Sequence, residues 1–149
     1  MDDIKTLVDA LFSRDCNFAY SALNKLIVEV QTSNKVYEFF DLFSSMLDSD
    51  KSYIRSRGLI IIAENARWDE DNKIDKIIDK YLSHILDEKP TTSRTCIKNL
   101  SLIIQYKPEL KPVIKKALLE SDISKYKESM KGLLQKDIDA VLKQINIDK

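Results

Sequence analysis

Apolar residues recur along this chain at the spacing of an amphipathic α-helix. In eight successive segments they occupy positions i, i+3, i+4 and i+7, which places them on one side of a helix. In the fifth segment, for example, Ile74, Ile78 and Tyr81 share one side. The pattern predicts eight helices, near residues 3–12, 17–31, 34–48, 51–66, 71–87, 91–106, 109–119 and 124–145.

The fourth segment is apolar nearly all round, and its run from Leu59 to Ile62 also suits a buried strand. We favour a helix because the surrounding stretch has no turn signal, and the segment is too long for a typical strand. Helices four and six are apolar on more than one side, so we expect them to be the most buried. The fold class is therefore all-α, with more than about 60% helix and no sheet.

Composition supports one helical domain over residues 1–149. The chain has only 2 Gly and 3 Pro, which is too few turn formers for a β-sandwich. Short connections make neighbouring helices antiparallel. No apolar run is long enough to span a membrane, and the acidic start does not resemble a signal peptide. We therefore expect a cytoplasmic protein that does not insert into a membrane.

Few residues are suited to catalysis or metal binding. His84 is the single histidine, and Cys16 and Cys96 lie far apart, so neither a zinc site nor a Cys-x-x-Cys motif is formed locally. The acids Asp69, Asp71 and Asp75 do not follow a calcium-loop pattern and instead suit the start of the fifth helix. We expect no cofactor, no metal and no enzymatic activity.

Charge is balanced overall, with 24 basic and 24 acidic side chains, but it is unevenly distributed. Residues 1–48 carry 4 basic and 8 acidic side chains, a net charge of −4, and residues 49–87 carry 7 and 8. Residues 88–149 carry 13 and 8, a net charge of +5. Overall neutrality disfavours nucleic-acid binding, although the basic C-terminal part keeps this alternative open.

An acidic and a basic residue repeat at a fixed spacing. Asp48 precedes Arg55 by seven positions, Asp87 precedes Arg94 by seven, and the two units are 39 residues apart. This offset is typical of a repeating helix pair. We interpret the four residues as a structural ladder that braces successive pairs, with anion binding by the two arginines as the alternative.

An acid in the turn, an arginine early in the second helix and a period near 40 residues resemble HEAT and armadillo repeats. The stretch from Tyr53 to Ile138 is similar to small HEAT-like proteins of low-GC bacteria, whose biochemical role is undefined. It includes Arg55-x-Arg57-Gly58, Asn65-Ala66-Arg67-Trp68-Asp69, Lys107-Pro108 and Leu134-Gln135-Lys136-Asp137. The resemblance implies an α-α superhelix of about four antiparallel helix pairs, without catalytic residues.

Such a stack presents a surface lined by second helices, so the leading hypothesis is a scaffold or adaptor module that binds a protein or peptide. The candidate contacts are polar or aromatic residues on otherwise apolar second helices: Arg57, Glu64, Asn65, Trp68 and Asn99. The alternative is nucleic-acid binding, distantly like the HEAT-like DNA alkylation-repair proteins, suggested by the triplet Arg67-Trp68-Asp69. A third hypothesis is a structural or regulatory subunit that docks through its acidic N-terminal half on a basic surface, or head to tail on itself, and the sequence leaves the oligomeric state open.

Overall fold

The structure, a computed structural model, describes residues 3–147. Helices make up 79% of the described residues, which contain no strand, so the all-α prediction is confirmed, including a helix at Leu59 to Ile62. The eight α-helices are α1 Ile4–Ala10, α2 Cys16–Val30, α3 Phe40–Met46, α4 Ser52–Glu64, α5 Lys73–Ser83, α6 Pro90–Tyr106, α7 Lys111–Glu120 and α8 Glu128–Ile147. None of these helices is both long and apolar enough to cross a membrane.

Several helix ends differ from the predicted ones because tighter turns replace the first or last helical turn. The segments Val36–Phe39 and Pro108–Leu110 form 3-10 turns ahead of α3 and α7, while Asn65–Trp68 and His84–Leu86 follow α4 and α5. Helix α8 begins at Glu128 and not near residue 124. Ahead of α8, the side chain of Asp122 accepts a hydrogen bond from the amide of Ser124. This bond stabilises a local turn, which competes with helix formation.

The even-numbered helices form a row in which α2 packs against α4, α4 against α6, and α6 against α8. On the flanks of this row, α1 packs against α2, α3 against α4, and α7 against α8. Helix α5 leads through its 3-10 turn onto α6. Helices α4 and α6 hold 8 and 7 buried residues, more than any other described helix, as their all-round apolar pattern predicts.

Gly58 allows α3 and α4 to cross closely. A Cβ atom at this position would lie 2.8 Å from Cβ of Met46 and 3.3 Å from the carbonyl oxygen of Phe43. Neither neighbour is a flexible side-chain end, so the two helices would have to separate. Gly132 in α8 differs, because a Cβ there would have no heavy atom within 4 Å. Close crossing therefore requires glycine at position 58 but not at position 132.

These two glycines should respond oppositely to substitution by alanine. Gly58→Ala is expected to destabilise the fold by about 1–3 kcal/mol, because overpacking outweighs the better helix propensity of alanine. Gly132→Ala has open space and should stabilise the fold by about 0.5–1 kcal/mol. Urea unfolding followed by circular dichroism measures both changes. Equal effects of the two substitutions would contradict the close crossing of α3 and α4.

Candidate interaction surface

One side of the helix row remains uncovered. Helix α4 has α2 and α6 beside it and α3 behind it, so only one face is left towards solvent. The residues of α4 that are not buried recur every three or four positions and lie on this face: Ser52, Tyr53, Ser56, Ile60 and Glu64. We call the uncovered side of α2, α4 and α6 the open face.

A groove of about 310 Å³ lies on the open face, where α2, α4 and α6 begin. Its lining is aromatic, aliphatic and hydroxyl-bearing: Cys16, Tyr20, Leu23, Ser52, Tyr53, Ser56, Arg57, Ile60, Thr91 and Thr92. The hydroxyls of Ser56 and Thr92 lie 2.8 Å apart and join α4 to α6. The lining includes no carboxylate and no imidazole. This composition suits binding by shape, apolar contact and hydrogen bonds.

Most of the residues that line the groove were not identified as binding residues from the sequence. Tyr20 is the one that the sequence pattern could have indicated. It falls between the core positions Ala19 and Leu23 of α2, so an aromatic ring stands off the apolar stripe, and its side chain is 64% exposed. An exposed aromatic residue on the polar side of an amphipathic helix is a common feature of binding surfaces. The meeting of three helix starts could not be inferred from spacing alone.

Arg57 lies at the edge of the groove but is largely buried. Its Nη1 donates hydrogen bonds to the carbonyl oxygens of Leu11 and Ser13, at 2.9 and 2.7 Å, and so caps the end of α1. Its Nη2 lies 3.6 Å from Sγ of Cys16, and the guanidinium sits 4.9 Å from the ring centre of Tyr53. Arg57 is therefore not a freely exposed side chain, because 93% of it is already enclosed by the protein, and its contact with a partner stays a prediction.

Two other candidate contacts are held by their own helices. Asn65 is completely buried, and its side-chain amide donates to the carbonyl of Ile61, so it offers no exposed surface to a partner. Asn99 remains partly exposed, with its amide donating to the carbonyl of Thr95. Of these two residues, only Asn99 lies where a partner could touch it.

Trp68 and its neighbours are also engaged internally. The indole Nε1 of Trp68 donates to the carbonyl of Val30 at 2.6 Å, and its ring packs against the core. Arg67 pairs with Glu64 at 3.1 Å and lies over the ring of Tyr106. Burial raises the pKa of the Glu64 carboxyl, although the charge of Arg67 opposes this shift. Trp68 therefore closes the turn after α4, and Glu64 contributes a charge that is already paired.

The expected ladder forms at Arg55. This buried guanidinium binds both oxygens of Asp87, with Nε–Oδ2 and Nη2–Oδ1 distances of 2.9 and 2.8 Å. Its Nη1 donates to the carbonyl of Ser49. Arg55 thus links the start of α4 to the turn ahead of α6, one helix pair further along the chain.

Asp87 collects further bonds in that turn. It accepts a hydrogen bond from the amide of Lys89, and Nδ1 of His84 lies 2.8 Å from its Oδ2. Burial alone would raise the pKa of the Asp87 carboxyl, but the bonds from Arg55, Lys89 and His84 lower it below its ordinary value. The hydroxyl of Tyr126 donates to the backbone carbonyl of Asp87, which ties the segment before α8 to the same turn.

For Arg94 and Asp48, the other two residues of the predicted ladder, the predicted pairing is wrong. Arg94 binds Asp137 in α8, with an Nε–Oδ2 distance of 2.7 Å, and not an acid in a turn. Arg55, Lys89 and His84 bind the carboxylate of Asp87, and Arg94 extends to α8, the next helix of the row. Asp48 is exposed and pairs with Lys80 of α5 at 2.8 Å. The fixed spacing of seven residues therefore does not mark a contact within one unit.

A second buried network was not foreseen from the sequence. The carboxylate of Asp69 accepts the hydroxyl of Tyr37 at 2.7 Å and caps α5 through the amides of Lys73 and Ile74. Nζ of Lys107 lies 3.0 Å from Oδ2 of Asp69. Burial would raise the pKa of Asp69, yet these bonds lower it. The capping role of Asp69 was predicted, but partners 32 and 38 positions away leave no local signal.

Comparison with protein-family models, curated proteins and solved structures finds no match to this chain. The resemblance to HEAT-like proteins thus remains a prediction based on the sequence.

The bridging arginines should be structural, and their loss should show as lower stability. Arg55→Ala would leave the buried Asp87 unpaired, at an expected cost of about 3–5 kcal/mol. Arg94→Ala should cost less, about 1–2 kcal/mol, because the Arg94 side chain is 26% exposed. Thermal and urea unfolding measure both values.

Lys80→Ala provides the matched control. Lys80 and Asp48 are 32 positions apart, as Arg55 and Asp87 are, but their pair is exposed and should contribute no more than about 0.5 kcal/mol. If Arg55→Ala left stability unchanged or raised it, Arg55 would instead belong with ligand-binding residues.

Proposed function

We propose that this chain is a helical-repeat interaction module that binds a peptide or protein segment on its open face. The observation that carries the proposal is the groove across the starts of α2, α4 and α6, lined by aromatic, aliphatic and hydroxyl side chains. Three helices contribute to one binding surface, as in repeat proteins that bind extended segments. The four successive helix pairs and the row of even-numbered helices support a HEAT-like arrangement as part of the same proposal.

The open face continues beyond the groove along α6. Residues that are not buried recur from Thr91 at helical spacing: Thr95, Asn99, Leu102 and Tyr106. Along this line uncharged hydrogen-bonding side chains are followed by Leu102 and the ring of Tyr106, and Asn99 is one of the contacts expected from the sequence. A bound segment that crosses the groove would find further contacts here. This continuity favours an extended ligand over a small molecule.

A binding role suits the groove better than catalysis. No carboxylate or imidazole lines it, so the commonest general bases are missing from its walls. Nucleic-acid binding gains no support from the Arg67-Trp68-Asp69 triplet, since Arg67 pairs with Glu64, Trp68 binds Val30 and Asp69 is buried. We therefore propose a non-enzymatic module with a protein partner.

A selection from a displayed random peptide library on the wild-type protein tests the proposal. Binding of the enriched peptides is then measured by fluorescence anisotropy on two variants, Tyr20→Ala on the open face and Leu119→Ala on α7. Both side chains are 64% exposed in the wild-type protein, so the two variants remove similar exposed groups. Tyr20→Ala should weaken binding about tenfold, as loss of an aromatic anchor does, and Leu119→Ala should change it less than about twofold.

Two outcomes would contradict the proposal. One is a selection that enriches no peptide, and the other is a set of peptides whose binding depends on Leu119 and not on Tyr20. Labelled duplex DNA in the same assay, at low and moderate salt, tests the nucleic-acid alternative. Salt-sensitive DNA binding that excludes the peptides would replace the proposed function.

A further inference from the structure

We propose that the groove binds an acidic side chain of the partner segment, with an apolar residue beside it. This inference rests on the proposed function and adds the chemistry of the ligand. Its basis is the positive electrostatic character of a groove whose walls contain no acid. Three features of the groove produce this character: a buried guanidinium, two helix starts without a side-chain cap, and a set of hydroxyl donors.

Arg57 supplies the charge. It is 7% exposed and lines the groove, and its contacts are two backbone carbonyls, a thiol and the ring of Tyr53. Among residues 3–147, no carboxylate lies within ion-pair distance of its guanidinium. The other buried arginine, Arg55, differs because Asp87 neutralises it. The carbonyl groups satisfy hydrogen bonds of the Arg57 guanidinium but do not neutralise its positive charge. A buried cation is stabilised by a nearby anion.

The helix starts add to this potential. Helices α4 and α6 both begin at the groove, and their N-cap residues, Lys51 and Lys89, form no side-chain cap. First-turn amides of such helices are unsatisfied donors, and the helix dipole favours an anion beside them. Helix α2 also begins here, but the carboxylate of Asp15 already caps it. The carboxylate of Asp87 already accepts the amide of Lys89 ahead of α6, so the pull on an anion is strongest at the start of α4.

Hydroxyl groups provide further hydrogen-bond donors in the groove. The aliphatic part of the groove disfavours a free inorganic anion as the ligand. Ser52, Ser56 and Thr91 line the groove near the uncapped helix starts. Leu23 and Ile60 provide an apolar floor, with the ring of Tyr20 at the edge. Phosphate alone would leave this apolar surface exposed, whereas a peptide covers it with a neighbouring side chain. Because both parts of the groove must be filled, we infer an acidic residue next to an apolar one.

The enriched peptides described above provide the test. They should contain Asp or Glu beside an apolar residue, and replacing that acid by the corresponding amide should weaken binding about tenfold or more. In ¹H–¹⁵N spectra the acidic peptide should shift the amides of Ser52, Tyr53, Thr91 and Thr92, and the amide peptide should shift them much less. Inorganic phosphate in the same titration distinguishes a free anion from a peptide carboxylate.

A matched pair of variants tests the groove without touching Arg57, which also caps α1. Ser52→Asp places a carboxylate at the start of α4, where the helix dipole tolerates it, and should weaken binding of the acidic peptide about tenfold. Ser52→Asn has nearly the same shape and no charge, and should change binding less than about twofold. Equal effects of Asp and Asn would overturn the inference.

The other possible outcomes distinguish failure of this inference from failure of the proposed function. Peptides that need Tyr20 but bind equally well as acid and amide would overturn this inference and leave the proposed function standing. Phosphate shifts at these four amides without peptide shifts would show that the groove binds free anions, and would also overturn it. A selection that enriches no peptide would overturn both proposals.

Discussion

The carboxylate of Asp87 is the point on which the stacking of the middle helix pairs depends. It is buried in the turn ahead of α6, where an unpaired charge would be strongly unfavourable. Arg55 from α4 neutralises it through two hydrogen bonds, and the hydroxyl of Tyr126 reaches the backbone carbonyl of the same residue. These bonds satisfy Asp87 only when α4, the turn and the segment before α8 are in register. Pairing this buried carboxylate therefore fixes α4 relative to the turn ahead of α6, and the bond from Tyr126 to the backbone carbonyl adds the segment before α8.

Asp69 has the same role in an earlier turn between helices, the one that connects α4 to α5. It caps α5 and binds Tyr37 and Lys107, so the start of α5 is tied to the segment before α3 and to the end of α6. In both networks the acid and its earlier partner are 32 positions apart, which is close to one helix pair. These bonds join each helix pair to the next at the edge of the stack where the turns between helices lie. The open face of α2, α4 and α6 takes no part in them and remains available for binding.

How far the sequence predicts this molecule depends on the distance over which each feature is determined. Helix positions follow from local periodicity, and even the ambiguous run from Leu59 to Ile62 was assigned correctly by its length. The burial of α4 and α6 was also predictable, because an all-round apolar helix must be covered. Helix ends were less predictable, since the turn at Asp122 depends on a side-chain bond that competes with the helix.

Contacts between helix pairs were predictable only in part. A brace between successive helix pairs was predicted for Arg55, but the pairing of Arg94 with Asp137 was missed because these two residues are 43 positions apart and leave no local signal. Lys107 gave no sign of its burial, since its partner Asp69 is 38 positions away. Among the expected contact residues, Arg57 and Asn65 are interior, because a polar residue on an apolar helix is often satisfied by nearby carbonyls. The groove itself arises only when three helix starts are brought together.

Photo-cross-linking in cells that make this protein tests most directly whether the open face is the functional surface. A photoreactive phenylalanine analogue replaces Tyr20 in one variant and Leu119 in another, two positions of equal exposure on different sides of the molecule. We predict discrete adducts of higher mass from the position of Tyr20, weakened by the Ser52→Asp substitution, and none of these adducts from the position of Leu119. The same adducts from both positions, or adducts from the position of Leu119 alone, would contradict the account.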